Sequence, residues 1–293
     1  MDDIIWSKGP HRAEYSRGET DTPSSERAII HHIESVAGPV LWIRTGRNER
    51  ITDINLVARH LAKLAHPVVL LTSDGDRPVP GSYPPPVIRT ILDHPKILAW
   101  HTQNYDGSTQ HAKLHAFPIG FDFHTEPWLV QRSPSKTLQY MLAMREQSMG
   151  SPRDPRIFCD AHLSPSHPDR HRLRGSLANN KHIVMLPRRV AFEGITKLYN
   201  RYTFALSPRG NGLDCHRTWE LLLAGAIVIT KTSPLDAMYR DNQLPVVIIS
   251  NWETLTADLP NKMARWKAEH SRFTALDHIL PRLKFKHWLG SSA

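Results

Sequence analysis

Short apolar runs bounded by Pro, Gly and Asp alternate along the chain with segments whose apolar residues recur at helical spacing. PVLWIR at 39–44 and PVVLLTS at 67–73 are two such runs, and between them ITDINLVARHLAKLA places Ile54, Val57, Ala58, Leu61 and Leu64 on one helical face. Strand, helix, strand in this order predicts parallel pairing through a crossover. The proline-dense stretch at 78–86 reads as loop, VIRTILDH as a short helix, and KILAWHT and KLHAFPIG as two further strands. KTLQYMLAMREQ has helical composition. Beyond it RIFCDAHL, HIVMLPRR, YTFALSPRG, AIVITK and LPVVIIS read as strands, while RHRLRGSLANN, LDCHRTWELLLAG, stopped by Gly225, and TSPLDAMYRD read as helices. The last segment, from Trp252, is mostly helical.

This alternation predicts an α/β protein of two layers of alternating strands and helices. The expected organisation is a polar arm at 1–27, a first domain at 28–133 and a second at 134–293 that ends in a closing helix. The length of 293 residues and a hydrophobic content of 40% suit two modest domains with real cores. Fibrous and wholly disordered classes are excluded. The longest apolar stretch, 221–229, falls well short of the roughly 18–20 residues that cross a bilayer. The N-terminus opens with two acids and lacks an apolar core and cleavage site, so the chain is expected to begin near Met1 and to be cytoplasmic.

Lys and Arg number 37 against 28 Asp and Glu, a formal charge of +9, which raises the question of an anionic partner. The densest basic places are RHRLR at 170–174 and the terminal RLKFKHW. Two cysteines, Cys159 and Cys215, stand far apart, giving neither a disulfide framework nor a zinc motif.

Candidate chemistry is concentrated in SPRGNGLDCHRTWE at 207–220. The segment sits where a strand ends and a helix begins, the place where ligands bind in open parallel sheets. Gly210 and Gly212 permit close backbone approach, and the helix N-terminus presents free N–H groups to phosphate. Ser207, Arg209, Asn211, His216 and Arg217 add polar contacts and positive charge, and arginine grips a diphosphate with paired hydrogen bonds. Glu220 shares a helix face with Arg217, either as a carboxylate for ribose hydroxyls or as an intrahelical partner of that arginine.

Residues 202–236, YTFALSPRGNGLDCHRTWELLLAGAIVITKTSPLD, resemble the nucleotide-sugar-binding segment of exostosin-type glycosyltransferases. Pro208, Gly210, Cys215, Arg217, Glu220 and Gly225 carry the match in order and spacing. Cys215 stands where a serine is frequent, and the strand 227–229 lacks the family's usual proline. The resemblance implies a GT-B fold, with two facing Rossmann-like domains, an interdomain cleft and the nucleotide held by the C-terminal domain. It implies a sugar transferred from a nucleoside diphosphate donor, with a UDP-sugar as co-substrate, to a glycan or glycoconjugate hydroxyl. No tightly bound cofactor and no divalent metal are expected, because basic side chains and a helix dipole stabilise the departing diphosphate.

Other positions carry alternatives. Asp74 and Asp76, in SDGD after the second strand, are candidates for the base that deprotonates the acceptor, for a metal-binding pair, or for a plain turn. Asn104, Asp122 and His124 follow predicted strands and are acceptor-side candidates, as Gln103 and Asp106 are more weakly. His162, His167 and His171 lie in a proline-bearing loop without helical ligand spacing, so zinc is not expected. Arg170, Arg172 or Arg174 would border the diphosphate, or else form a solvated basic helix. The terminal KFKHWL is expected to pack as a closing helix that returns to the first domain, with a peripheral membrane contact through Lys284, Lys286 and Trp288 as the alternative. A nucleic-acid-binding module lacks a basic platform with interleaved aromatics here, and no nucleic-acid partner is expected. A catalytically silent nucleotide- or sugar-binding protein remains the alternative to an enzyme.

Overall fold

The computed structural model describes residues 3–8, 22–123 and 134–290. Two compact units divide the chain, one comprising Asp2–Gly120, Gly212–Asp214 and Lys284–Ala293, the other Phe121–Asn211 and Cys215–Leu283. Each contains a fully parallel sheet, so the expectation of an α/β chain with two Rossmann-like layers is borne out.

The first unit holds α1 (Glu26–Ser35), β1 (Val40–Gly46), α2 (Asp53–His60), β2 (Val68–Gly75), α3 (Pro85–Asp93), β3 (Ile97–Thr102) and β4 (Leu114–Ala116). Its strands stand in the order β1-β2-β3-β4, all parallel. One core joins α1, α2 and α3 to a single sheet face through Ile29, Ile33, Val57, Ile91, Leu41 and Leu70, among others. The proline-rich stretch contributes to α3 because Pro85 occupies the first helical turn, where the missing N–H loses no bond.

Sequence periodicity made no assignment over α1, although Ile29 and Ile33 recur four apart and Ser25 caps it, accepting from Ala28 N at 3.2 Å. Nor is the expected arm wholly loose. Ile4 and Ile5 are buried, Ser7 O accepts from Ser73 Oγ, and Ser24 Oγ donates to Asp53, which also pairs with Arg44 at 2.9 Å. KLHAFPIG keeps strand pairing only at Leu114–Ala116. A last helix, α11 (Phe285–Leu289), completes this unit, with Phe285 stacked on Phe117 at 5.9 Å and its N–H donating to Asp3 O.

The second unit holds α4 (Pro134–Ser148), β5 (Asp154–Cys159), α5 (Pro168–Leu177), β6 (Ile183–Met185), α6 (Phe192–Arg201), β7 (Tyr202–Leu206), α7 (His216–Leu223), β8 (Ile227–Lys231), α8 (Asp236–Asp241), β9 (Val246–Ile249), α9 (Leu259–His270) and α10 (Leu276–Arg282). Its order is β6-β5-β7-β8-β9, again all parallel. The strand order therefore reverses at β5 and β7, the switch point of a doubly wound sheet, which the monotonic first sheet lacks. On one face α5 and α9 pack through Leu173, Leu177, Met263 and Trp266 against Ile157, Phe204 and Ile229.

Gly225 ends α7 as expected. It takes φ +78°, its N–H bonds to Leu222 O and Ala226 N bonds to Leu221 O, and a Cβ there would fall 2.4 Å from the Arg145 guanidinium carbon. Helix α6 received no assignment from sequence, because Gly194, Thr196 and Asn200 blur its apolar face.

Candidate functional site

Strand β7 ends at Leu206, and the chain leaves the second sheet at its switch point with Ser207, Pro208, Arg209 and Gly210. Residue 170, expected either to border the diphosphate or to lie on a solvated helix face, is buried, which overturns the solvated alternative. Arg170 reaches under this turn, donating from Nε to Arg209 O at 2.8 Å, from Nη2 to Pro208 O at 3.2 Å, and to Cys215 Sγ at 3.3 Å. Its contacts are two carbonyls and a thiol, so a buried guanidinium holds no carboxylate in hydrogen-bond contact. Burial pulls its pKa down, and such a cation favours an anion nearby.

The glycine matters here. A Cβ on Gly210 would lie 3.2 Å from Arg170 Nη2 and 3.6 Å from Ser166 Oγ, so its absence leaves a small polar cradle. Ser166 Oγ and Arg209 Nε are both buried and have no hydrogen-bond partner among the described residues, while Arg209 Nη2 donates to Asn211 O at 3.1 Å. Ser207, a predicted contact, is spent otherwise. It is buried, and its hydroxyl pairs with Thr218 Oγ1 at 2.8 Å, tying the strand end to the first turn of α7.

Arg217 also departs from expectation. Its Nε lies 2.7 Å from Asp160 Oδ1, with both side chains nearly buried, and Tyr199 donates its hydroxyl to Asp160 Oδ2 at 3.0 Å. Asp160 follows β5 and Arg217 opens α7, so the ion pair spans the switch point. Although burial disfavours the Arg217 charge, Asp160 outweighs it and holds the guanidinium firmly protonated. Glu220 is half-buried one turn further along. Burial first and the Asp122 carboxylate second push its pKa up to about 7, against the pull of His216 and Arg217.

In the first unit two of the remaining candidates, Asp74 and Asn104, are buried and structural. Asp74 is buried at φ +58° and pairs with Lys8 at 3.0 Å. Asp76 is half-exposed just beyond β2. Asn104, also at positive φ, is buried, donates to Gly75 O at 2.9 Å and accepts from Leu213 N at 2.8 Å and Asp214 N at 3.1 Å. Gly212 fits against it, since a Cβ would fall 2.6 Å from Asn104 Oδ1. Asn104 is thus a clamp on the 212–214 segment. His124 lies outside the described residues.

His167 caps α5 by accepting from Asp169 N at 3.2 Å, whereas His162 lies 3.7 Å from Cys159 Sγ. Among the described residues no three His, Cys, Asp or Glu side chains group as a metal site. Nor is any helix there long and apolar enough to cross a membrane. Sequence reasoning missed Ser166, Lys8, Tyr199 and the pairing role of Asp160. Their only signal was position after a strand or in a loop.

No family model and no curated protein matches the chain. Among solved structures it is similar to the N-terminal domain of trehalose-6-phosphate phosphatase from Candida albicans, with 11% identity over 92% of this chain and 74% of that one and a TM-score of 0.43. It is similar to a chain of the GtfA/B complex, with 12% identity over 92% of this chain and 61% of that one and a TM-score of 0.42. A Listeria monocytogenes protein described as a UDP-N-acetylglucosamine 2-epimerase matches at 10% identity over 86% of this chain and 72% of that one, with a TM-score of 0.39.

Proposed function

We propose that the chain is a glycosyltransferase that moves a sugar from a nucleoside diphosphate donor, a UDP-sugar, to a hydroxyl of a glycan or glycoconjugate. The observation that carries this reading is the cradle at the carboxyl end of β7: a buried guanidinium without a carboxylate on it, unpartnered Ser166 Oγ and Arg209 Nε, and the space left by Gly210. A diphosphate supplies the charge and the acceptor oxygens that these groups lack. The exostosin-like order of residues 202–236 supports the same assignment.

In this mechanism Arg209, Arg170 and the N-terminus of α7 take up the charge that develops on the leaving diphosphate, a role that elsewhere falls to a metal ion. Arg217 positions that helix end through Asp160. Glu220 in its ionised form accepts from the ribose hydroxyls. Asp76 is the better candidate for the base, since it is half-exposed whereas Asp74 is buried. Asp122 and His124 are assigned to the acceptor side.

The test is calorimetric titration with UDP, GDP, ADP and CMP, with and without divalent metal, on the wild type, Arg209→Ala and Glu220→Ala. Selective UDP binding that weakens at least tenfold in both variants supports the reading; silence toward every nucleotide in a folded sample overturns it. The second reading, a silent nucleotide-binding protein, draws on the Lys8–Asp74 pair, which removes one of the two candidate bases. It is distinguished by UDP binding without hydrolysis or transfer of any UDP-sugar.

A further inference from the structure

Strands β3 and β4 set two histidines side by side. His101 and His115 are register partners in the parallel ladder, so their side chains leave the same face of the sheet, and their ring centroids lie 5.0 Å apart. It is the face opposite the core shared with α1, α2 and α3, since the preceding residues on each strand, Trp100 and Leu114, point into that core. His101 is half-buried and His115 is exposed. Neither ring makes a hydrogen bond among the described residues, and the His101 nitrogens are not sealed from solvent.

Charge and spacing both suit these rings to a metal ion. Burial, and for His101 also the neighbouring His115, holds the two imidazoles below their ordinary range, His101 down to about 4, so both are neutral at pH 7 and offer a nitrogen lone pair. An imidazole binds zinc at about 2.0–2.1 Å, and its ring centre lies about 1 Å behind the ligating nitrogen, so two rings on one tetrahedral ion stand about 5 Å apart. The observed separation is that distance.

We propose that His101 and His115 form a two-histidine site for a divalent transition-metal ion such as Zn2+, which fastens the edge strand β4 to β3. Strand β4 is three residues long and pairs with β3 alone, so a bridge between register partners closes its one ladder. No third His, Cys, Asp or Glu joins the pair among the described residues, and water fills the remaining positions on the ion. Imidazole selects zinc, copper and nickel over magnesium and calcium, which prefer oxygen. The other close pair of soft ligands, Cys159 Sγ and His162 Nδ1 at 3.7 Å, is poorly suited, because burial pushes the thiol up to about 11 and a metal takes the thiolate. The histidine pair shares no residue with the cradle at the end of β7.

The experiment is calorimetric titration of the full chain with ZnCl2 and with MgCl2 at pH 7. Because the chain holds 18 histidines, it is paired with hydrogen exchange of the β4 amides, read by mass spectrometry. Zn2+ is expected to bind and, at a free concentration tenfold above its Kd, to slow β4 exchange about tenfold, while Mg2+ does neither. Loss of even an outer-shell partner weakens a metal site roughly 10–100-fold, so His101→Gln and His115→Gln are each expected to weaken Zn2+ at least tenfold and to abolish the protection. His115 is exposed, so its variant keeps the test decisive if His101→Gln misfolds. His162→Gln is the control that keeps both binding and protection. Absence of Zn2+ protection in the wild type, equal protection by Mg2+, or protection that survives in His115→Gln overturns the proposal.

Discussion

Replacing Glu220 by Gln separates the electrostatics of the candidate site from its shape. In the folded chain the Glu220 carboxyl titrates at about 7, against an ordinary value of 4.5. Burial is the first cause and the Asp122 carboxylate the second. A raised folded pKa means that the native state binds a proton which the unfolded chain has already released. The resulting stabilisation is fully present below about pH 4.5 and is lost as pH rises through about 7. At about 1.4 kcal/mol per pKa unit the shift corresponds to about 3 kcal/mol, and solvent screening of the half-buried carboxyl reduces this to about 2 kcal/mol. Gln mimics the protonated acid at every pH. Urea unfolding of wild type and Glu220→Gln is therefore expected to agree near pH 5 and to diverge by about 2 kcal/mol at pH 8, the variant being the more stable. Nucleotide affinity adds a second readout. If the ionised carboxylate receives ribose hydroxyls, wild-type affinity rises as pH increases through about 7, whereas the variant binds more weakly and without that step. A stability difference that stays constant from pH 5 to pH 8 would refute the assignment of a raised pKa.

Other substitutions test the residues that the structure reassigns. Asn104→Ala strips bonds from Gly75 O, Leu213 N and Asp214 N and is expected to destabilise the chain by about 2–3 kcal/mol in urea unfolding; an unchanged midpoint would return Asn104 to a pure acceptor role. Arg153→Met removes a half-buried guanidinium that donates to Tyr199 O, Tyr202 O and Ala224 O, with an expected loss of about 3 kcal/mol and no change in nucleotide affinity. Calorimetry beside the unfolding curves checks both halves of that statement. Asp74→Asn breaks only the pair with Lys8 and should leave glycosyl transfer within threefold of wild type, while Asp76→Asn lowers it by about 100-fold or more, measured as UDP release. The reverse order of effects would restore Asp74 as the base.

Most strands were legible because they are buried on both faces and read as near-continuous apolar runs cut by Gly, Pro and Asp. Val40–Gly46 is buried at every position, and the sequence shows that as VLWIRTG. The end of α7 was legible for a similar reason: Gly225 is the residue that a left-handed cap demands. Helices α1 and α6 escaped because their inward positions include half-buried His32 and buried Thr196 and Asn200, polar residues that break the apolar periodicity. His32 bonds to Trp42 O and Asn200 to Thr196 O, and neither bond leaves a trace in hydropathy.

At the candidate site, local spacing located the segment but could not divide its charges between structure and ligand. Arg209 and Arg217 read alike in SPRGNGLDCHR. What separates them is a carboxylate from the adjacent strand: Asp160 stands at the end of β5, next to β7 in the sheet but far from Arg217 in the chain. Strand order therefore decides which arginine is neutralised, since the reversal at β5 and β7 brings Asp160 to α7. The same reversal brings Arg170 beneath Pro208 and Arg209, converting a residue of a basic helix into a buried cation. A charge that is expensive to bury without a counter-ion is retained most economically where a ligand supplies one. By that argument Arg209, rather than Arg217, is the position at which loss of charge should abolish anion binding while leaving the Asp160 pair and the fold intact, whereas loss of Arg170 also strips its bonds from Pro208 O and Arg209 O.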